Sequence, residues 1–198
     1  MITSDDPATS EFWNNRISER RMPWDAGTTP PLLERYLAKD KGGGRVLIPG
    51  CGTAYEAFSF SQKGYDVVAI DFSPAAVEMA NAQIGDVLVE VVLGDFFSYD
   101  FGEQPFDLIY ERAFLASVPR KMWNGYAARV SELLRQGGKL LGFFVYGEEQ
   151  GGPPFCLKEN ELPSLIGDSF ERIAYVHVRD SVPVFAGRER WEVWERRE

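Results

Sequence analysis

One stretch decides the fold, and it combines a buried strand, a tight glycine turn and a helix start: Arg45-Val46-Leu47-Ile48-Pro49-Gly50-Cys51-Gly52-Thr53-Ala54-Tyr55-Glu56. The apolar run Val46–Ile48 is typical of a parallel strand that is buried on both faces. Gly50 and Gly52 let the backbone turn tightly and let a ligand approach where a Cβ would collide. A helix beginning near Ala54 points free N–H groups at that ligand. The stretch therefore predicts a ligand crevice at the end of the first strand.

Asp71 identifies the kind of ligand. It closes a second apolar run, Asp66–Asp71, and lies about 20 residues beyond the turn, the usual offset for a carboxylate that accepts hydrogen bonds from ribose hydroxyls. The alternative is that Asp71 only caps the helix starting at Ser73. A dinucleotide site would place a third glycine where this chain has Tyr55, so NAD and FAD are disfavoured. The pattern favours S-adenosylmethionine, and a nicotinamide oxidoreductase remains a weaker alternative.

Composition limits the classes of function. The chain has 198 residues, 44% of them apolar, and a net charge of −9, which disfavours a nucleic-acid partner. It has no apolar run long enough for a membrane span and no secretory signal at the N-terminus, so we expect a cytoplasmic location and no membrane partner. We also expect a monomer. Two cysteines predict neither a metal cluster nor a disulfide framework, and we expect no metal. The mixed charges of residues 188–198 predict a solvated strand edge.

From Arg45 onward, strand-like runs alternate with helical segments, which favours an α/β fold. The predicted strands are Val46–Ile48, Val67–Ile70, Val87–Leu93, Phe106–Tyr110, Leu140–Val145, Arg172–Val178 and Arg190–Trp194. A loop without a helix joins the last two strands, and such a connection makes an antiparallel hairpin. We therefore predict a Rossmann-like, seven-stranded, mostly parallel sheet with an antiparallel last strand and helices on both faces. This is the architecture of class I methyltransferases.

The predicted organisation is one domain over residues 1–198, with an N-terminal lid or cap over 1–44 and a Rossmann-like core over 45–198. The N-terminal segment carries its aromatic residues among polar residues, prolines and glycines, so it is predicted to be irregular before a helix from Pro30 to Lys39. Phe12 and Trp13 fit a lid over the cofactor and packing on the flank of the sheet equally well. Trp24 favours the lid.

The chain also resembles the thiopurine S-methyltransferase family, and especially its halide/thiol methyltransferase branch. Five motifs carry the resemblance: Phe12-Trp13, Pro23-Trp24-Asp25-Ala26-Gly27-Thr28-Thr29-Pro30, Ile48-Pro49-Gly50-Cys51-Gly52, Gly94-Asp95-Phe96-Phe97 and Gly151-Gly152-Pro153-Pro154-Phe155. They span nearly the whole chain. The resemblance implies a methyltransferase that uses S-adenosylmethionine and releases S-adenosylhomocysteine, with a small-molecule thiol, halide or thiopurine as acceptor.

Site residues follow from the resemblance position by position. The cofactor-binding set is Trp13, Trp24, Thr28, Gly50, Cys51, Gly52, Asp71, Phe72, Asp95, Phe96 and Tyr110. Asp95 would accept from the adenine amine, although an aspartate of this kind is also common in an ordinary turn. Tyr110, Glu111 and Arg112 are the catalytic candidates, because they follow the fourth strand and would face the sulfonium and the acceptor.

The acceptor is less well defined than the donor. Thr53-Ala54-Tyr55 and Glu111-Arg112-Ala113 both differ from the family pattern at positions near the acceptor. The only histidine, His177, lies in a strand and is expected to be structural, so Glu111 is the best candidate for a general base and Arg112 for positioning an anion. Two alternatives stay open: methylation of an oxygen or nitrogen of a small aromatic metabolite, and a nucleotide-binding sensor without turnover.

Overall fold

The computed structural model describes residues 5–148 and 151–198. The strands are β1 (Arg45–Pro49), β2 (Asp66–Asp71), β3 (Glu90–Leu93), β4 (Phe106–Arg112), β5 (Leu134–Val145), β6 (Phe170–His177) and β7 (Glu189–Arg196). The α-helices are α1 (Ser10–Ser18), α2 (Pro31–Lys39), α3 (Tyr55–Gln62), α4 (Pro74–Ile84), α5 (Phe114–Ser117), α6 (Trp123–Leu133) and α7 (Glu161–Ile166). No helix within the described residues is long and apolar enough to cross a membrane.

The strands form one seven-stranded sheet in the order β3-β2-β1-β4-β5-β7-β6. Strand β7 runs antiparallel to both of its neighbours, β5 and β6. The pairs β1–β2, β2–β3 and β4–β5 are parallel. The predicted fold is therefore confirmed: the sheet is mostly parallel and its last strand along the chain is reversed.

The first of two compact units extends to Gly102. Its core is the apolar interior of β1 and β2, where Val46, Leu47 and the run Val67–Ile70 are almost completely buried. Helix α3 packs against β2 and α4, and α4 also packs against β3. Helix α4 starts as the sequence indicates, because the hydroxyl of Ser73 accepts the Ala76 N–H at 3.3 Å and Pro74 occupies the first helical position.

The second unit begins at Glu103 and contains strands β4 to β7. Gly142 is needed where β4 and β5 pair, since a Cβ at this position would lie 1.8 Å from the carbonyl oxygen of Glu111. Tyr110, Phe143, Phe144 and Leu141 are buried in the core of this unit. Helix α6 contributes Tyr126 and Val130, both fully buried, so its predicted apolar face does point inward.

Three differences from the predicted elements exceed two residues. The segment predicted to be irregular holds a helix, α1, which Thr9 caps by accepting the Phe12 N–H. Strand β3 starts at Glu90 rather than Val87, because Val87 still forms a turn with Ile84 and Leu88 is 92% exposed. Strand β5 starts at Leu134, directly after α6, instead of Leu140.

The prediction of a solvated edge for residues 188–198 is wrong for the strand they form. Strand β7 lies between β5 and β6, so β6 is the edge strand of the sheet. Glu189 and Glu192 are almost completely buried. A charged strand can occupy an interior place when its carboxylates find donors, and Glu192 has three such donors, described below.

Candidate active site

The glycine turn between β1 and α3 has the backbone that its sequence indicates. Gly50, Gly52 and Ala54 all have positive φ, at 58°, 52° and 56°. Glycine adopts such values without steric cost, which explains why positions 50 and 52 are glycines. A Cβ built on Gly52 meets no atom of residues 5–148 or 151–198 within 4 Å, so these residues leave room for a ligand beside Gly52.

Asp71 ends β2 and ties the turn to the next helix. Its Oδ2 accepts the Gly52 N–H at 3.1 Å, and its Oδ1 accepts the Ser73 N–H at 2.9 Å. Burial raises the pKa of this carboxyl, while the backbone donors at Ser73, Gly52 and Phe72 oppose that increase. Asp71 thus holds the turn and precedes the N-cap of α4, and a carboxylate has remaining lone pairs for ligand hydroxyls.

Cys51 lies in the same turn with its thiol turned inward. The side chain is buried, and its backbone N–H donates to Ile70 at 3.1 Å. Burial raises the pKa of the thiol well above its usual range, and the carboxylates of Asp71 and Glu56 add to the increase. A thiol in this state is not a nucleophile. Cys51 therefore serves the site through packing and its backbone.

An aromatic cluster forms the N-terminal segment. The ring of Trp13 packs edge-on against Phe12 at 5.0 Å and against Trp24 at 5.5 Å between centroids. The indole N–H of Trp13 donates to the carbonyl of Pro7 at 2.9 Å. Trp13 and Trp24, predicted separately, are thus in direct contact, and both keep some exposed surface.

The segment is attached to the glycine turn by polar contacts. Asp25 accepts the Gly27 N–H at 2.8 Å and the Thr53 hydroxyl at 3.1 Å. The hydroxyl of Thr29 donates to the carbonyl of Tyr55 at 3.2 Å. The sequence does not predict the contacts Asp25–Thr53 and Thr29–Tyr55, because the two residues of each pair are more than 20 positions apart. Thr28, a predicted cofactor residue, lies between Asp25 and Thr29 and is exposed.

Asn14 on α1 contacts the start of α4. Its Oδ1 accepts the Ala75 N–H at 3.0 Å and lies 3.3 Å from the Ser73 hydroxyl. Ala75 is in the first turn of α4, where backbone N–H groups lack intrahelical partners. Asn14 is therefore a second cap, supplied from a distant helix. The chain gives no local signal for it, since Asn14 resembles any polar residue of a helix.

We expect Asn14→Ala to lower the free energy of unfolding by about 1 kcal/mol, the usual cost of a lost helix cap. Urea denaturation followed by circular dichroism measures this loss. The matched control is Asn15→Ala, since Asn15 is exposed on the same helix; its expected change is within about 0.5 kcal/mol. Equal losses in the two variants would show that Asn14 has no special role.

Asp95 and Phe96 follow β3. The Asp95 carboxylate caps its own turn, accepting the Phe97 N–H at 3.0 Å and the Ser98 hydroxyl at 3.2 Å. Phe96 is buried and packs edge-on against Phe97, at 5.3 Å between centroids. Both predictions for Asp95 remain compatible with this geometry, because an exposed carboxylate that caps a turn still has lone pairs for a ligand.

Glu111, in the second unit, is fully buried near the carboxyl end of β4. Its Oε2 accepts the Leu115 N–H at 2.7 Å, and Oε1 has no hydrogen-bond partner among the residues that the structure describes. Burial raises the pKa of this carboxyl to about 8, against the opposing effect of the Leu115 and Phe114 N–H groups, and the charge of Glu192 adds to the increase. Glu111 is thus largely protonated at neutral pH.

The two neighbours of Glu111 differ in environment. Tyr110 is buried in the core of the unit. The Arg112 guanidinium lies 5.7 Å from the centroid of the Phe143 ring and interacts electrostatically with Glu189. Side chains alternate between the faces of a strand, so Glu111 lies on one face and Tyr110 and Arg112 lie on the other. His177 is exposed on edge strand β6, in edge contact with Tyr175.

Comparison with a solved structure shows the class of fold. A methyltransferase from Burkholderia thailandensis, with bound 1,6-didemethyltoxoflavin and S-adenosylhomocysteine, superimposes with a TM-score of 0.76 at 19% identity, covering 96% of this chain and 87% of that chain. The chain thus has the class I methyltransferase fold.

The particular family follows from sequence comparison. Residues 8–198 match the family model for thiopurine S-methyltransferase. A probable thiol methyltransferase 2 of Arabidopsis thaliana is 30% identical over 95% of this chain and 86% of its own length. A thiopurine S-methyltransferase of Photobacterium profundum is 32% identical over 79% and 81%. The chain belongs to the thiopurine S-methyltransferase family, and the predictions of family, enzyme class and cofactor are confirmed.

Proposed function

We propose that this methyltransferase transfers the methyl group of S-adenosylmethionine to a small-molecule sulfur nucleophile. Relatives named for thiols and thiopurines support a sulfur acceptor. The observation that carries the proposal is Glu111, a buried carboxyl with one oxygen free of partners among the described residues and a pKa of about 8. A base acts best when its pKa is near the working pH, and thiols lose their proton in the same range.

The first unit is proposed to bind the donor. Asp71 accepts the ribose hydroxyls, with Phe72 against the adenine and Gly50, Cys51 and Gly52 forming the turn beneath the ligand. The open space above Gly52 supports this assignment. Asp95 and Phe96 flank the adenine.

Residues 1–44 are proposed to act as a lid on a single domain, whose core comprises residues 45–198. Trp13, Trp24 and Thr28 belong to the lid and contact the cofactor. The polar anchors at Asp25 and Thr29 support this role, because they fasten the segment to the glycine turn and the start of α3. Closing a lid excludes water from the reacting groups.

The second unit is proposed to serve the acceptor. Methyl transfer is an in-line displacement in which a new S–CH₃ bond forms and the bond from the methyl to the sulfonium breaks. The leaving group is a neutral thioether, so it needs no acid. Glu111 takes the proton of a thiol acceptor, Arg112 positions an anionic acceptor, and Tyr110 serves the sulfonium and the cofactor. Alignment of the three reacting atoms supplies most of the catalysis.

The test is an acceptor panel with radiolabelled S-adenosylmethionine: hydrosulfide, iodide, thiopurines and hydroxylated heteroaromatics. We expect transfer to the sulfur compounds. Transfer only to hydroxyl or ring-nitrogen compounds would reject the sulfur acceptor, and cofactor binding without any transfer would support the sensor alternative. Tight binding of NADH without binding of S-adenosylhomocysteine would contradict the assignment of S-adenosylmethionine as the methyl donor.

The lid is tested by Trp24→Ala. Loss of the indole opens the cluster with Trp13, and we expect the affinity for S-adenosylhomocysteine to fall by about tenfold, which corresponds to ~1.4 kcal/mol. Isothermal titration calorimetry measures the affinity. Phe58→Ala is the control, because Phe58 is an exposed aromatic residue of the same unit. Unchanged affinity in Trp24→Ala would assign Trp24 to packing alone.

We further propose that the protein works in the cytoplasm as a monomer, without nucleic-acid or membrane partners. The net charge of −9 supports the absence of nucleic acid. Gel filtration with light scattering tests the monomer, and a dimer mass would reject it.

A further inference from the structure

Three strands of the second unit bring two buried carboxylates onto one face of the sheet. Glu111 on β4 is directly opposite Gly142 on β5, and Gly142 is directly opposite Glu192 on β7. Directly opposed residues project to the same face of a sheet. Glu111 and Glu192 are therefore neighbours across a residue without a side chain, and both are fully buried.

The gap at Gly142 is built into the sheet. A Cβ there would lie 1.8 Å from the Glu111 carbonyl oxygen, so no larger residue fits without moving a strand. Two strand spacings separate the backbones of Glu111 and Glu192 by about 10 Å. At this separation the charges of two buried carboxylates still repel each other, because the protein interior screens them less than water does.

Glu192 is held by donors from three directions. The Tyr146 hydroxyl donates to its Oε1, the Trp194 indole N–H donates to its Oε2 at 3.1 Å, and the Arg172 guanidinium lies 3.6 Å from Oε2. Donors of this kind favour the ionised carboxylate. They oppose burial, which is the larger effect, so the pKa of Glu192 is still raised, but by less than burial alone would raise it.

Glu111 has fewer donors. Among the described residues, hydrogen bonds reach only its Oε2, from backbone N–H groups at the start of α5. Tyr126 on α6 is also close enough to interact with Glu111, and burial raises the pKa of Tyr126 well above its usual range, so Tyr126 stays neutral. Two coupled carboxyls in such different environments take different roles: the one with more donors keeps the charge and the other keeps the proton.

We propose that Glu192 is a positioning residue that acts through Glu111: its negative charge adds to the effect of burial on the Glu111 carboxyl and so raises the pH at which Glu111 takes a proton from an acceptor thiol. The inference rests on the proposed role of Glu111 as base. It gives a role to a fully buried glutamate in a strand where an apolar residue would pack more easily.

The test is Glu192→Gln, which keeps the shape and removes the charge. The titration of the Glu111 carboxyl is followed by ¹³C NMR in glutamate-labelled protein, with the resonance assigned by its loss in Glu111→Gln. We expect the midpoint to fall by about 0.5–1 pH unit, as a unit charge at ~10 Å predicts. An unchanged midpoint would overturn the proposal.

The matched control is Glu195→Gln. Glu195 is on the same strand but three residues further on, hence on the other face, and lies 4.0 Å from Lys139. We expect its variant to leave the Glu111 midpoint unchanged, and an equal shift in both variants would overturn the proposal. If Glu192→Gln fails to fold, Tyr146→Phe replaces it. Loss of the Tyr146 hydroxyl disfavours the ionised form of Glu192, so the Glu111 midpoint is expected to fall in this variant too.

Activity separates this inference from the proposed function. The pH profile of kcat/KM with 2-mercaptoethanol, a thiol that is mostly protonated at neutral pH, is expected to move in Glu192→Gln by the same amount as the NMR midpoint. If the Glu111 midpoint moves but the pH profile of kcat/KM does not, the interaction between Glu192 and Glu111 is supported and Glu111 is rejected as the base.

Discussion

Replacing Asp71 with alanine is expected to weaken the binding of S-adenosylhomocysteine by at least about 100-fold. Hydrogen bonds to a charged group contribute about 1.5–3 kcal/mol, and 100-fold corresponds to ~2.7 kcal/mol. The loss has two sources. The ribose hydroxyls lose their acceptor, and the Gly52 and Ser73 N–H groups lose the carboxylate that fixes the glycine turn to the start of α4.

Calorimetry on the folded variants measures this effect, with circular dichroism as the check on the fold. Asp66→Ala is the control, because Asp66 opens the same strand and its side chain is largely exposed; its affinity is expected to be unchanged. The affinity of Asp71→Asn is expected to lie between those of the wild type and Asp71→Ala, since an amide keeps one acceptor oxygen. Wild-type affinity in Asp71→Ala would mean that the carboxylate only caps the helix and that the ribose binds elsewhere.

The donor half of the site was predictable from sequence because its signals are local. The glycine turn depends on residue types within a few positions, and the offset to Asp71 follows from one strand–helix–strand unit. The reversed last strand was also predictable, because the loop joining β6 to β7 is too short for a crossover helix. These features depend on backbone geometry that the residue type itself fixes.

What the sequence did not show depends on contacts between distant segments. The segment around Phe12 and Trp13 is a helix with an aromatic cluster, although its composition resembled an irregular loop. The charges of β7 resembled a solvated edge because charged residues are rarely buried without partners, and the partners of Glu192 lie on other strands. The one usable signal was Trp194: it follows Glu192 by two residues, so it shares its face and brings an N–H donor to it.

Glu111→Gln carries the largest expected effect on the chemical step. A positioned general base contributes about 10²–10⁴-fold, so we expect kcat with 2-mercaptoethanol to fall by at least about 100-fold at pH 8. In the wild type, only the ionised carboxylate accepts a proton, so kcat/KM for a protonated thiol rises with pH through about 8, the pKa that burial gives to Glu111. In Glu111→Gln the part of this rise that follows the titration of Glu111 is expected to be absent, because an amide does not titrate, and the remaining rise is expected to follow the ionisation of the thiol itself.

A second acceptor distinguishes a base from a structural residue. Thiocyanate is anionic throughout this pH range and has no proton to lose, so Glu111→Gln should reduce its methylation by less than about tenfold. Glutamine also resembles the protonated carboxyl that the wild type holds at neutral pH, so the affinity for S-adenosylhomocysteine should not change. Equal losses with the thiol and with thiocyanate would mean that Glu111 supports the sheet around Gly142 rather than taking a proton. The ratio of the two losses therefore measures the proton transfer itself, independently of any general damage to the site.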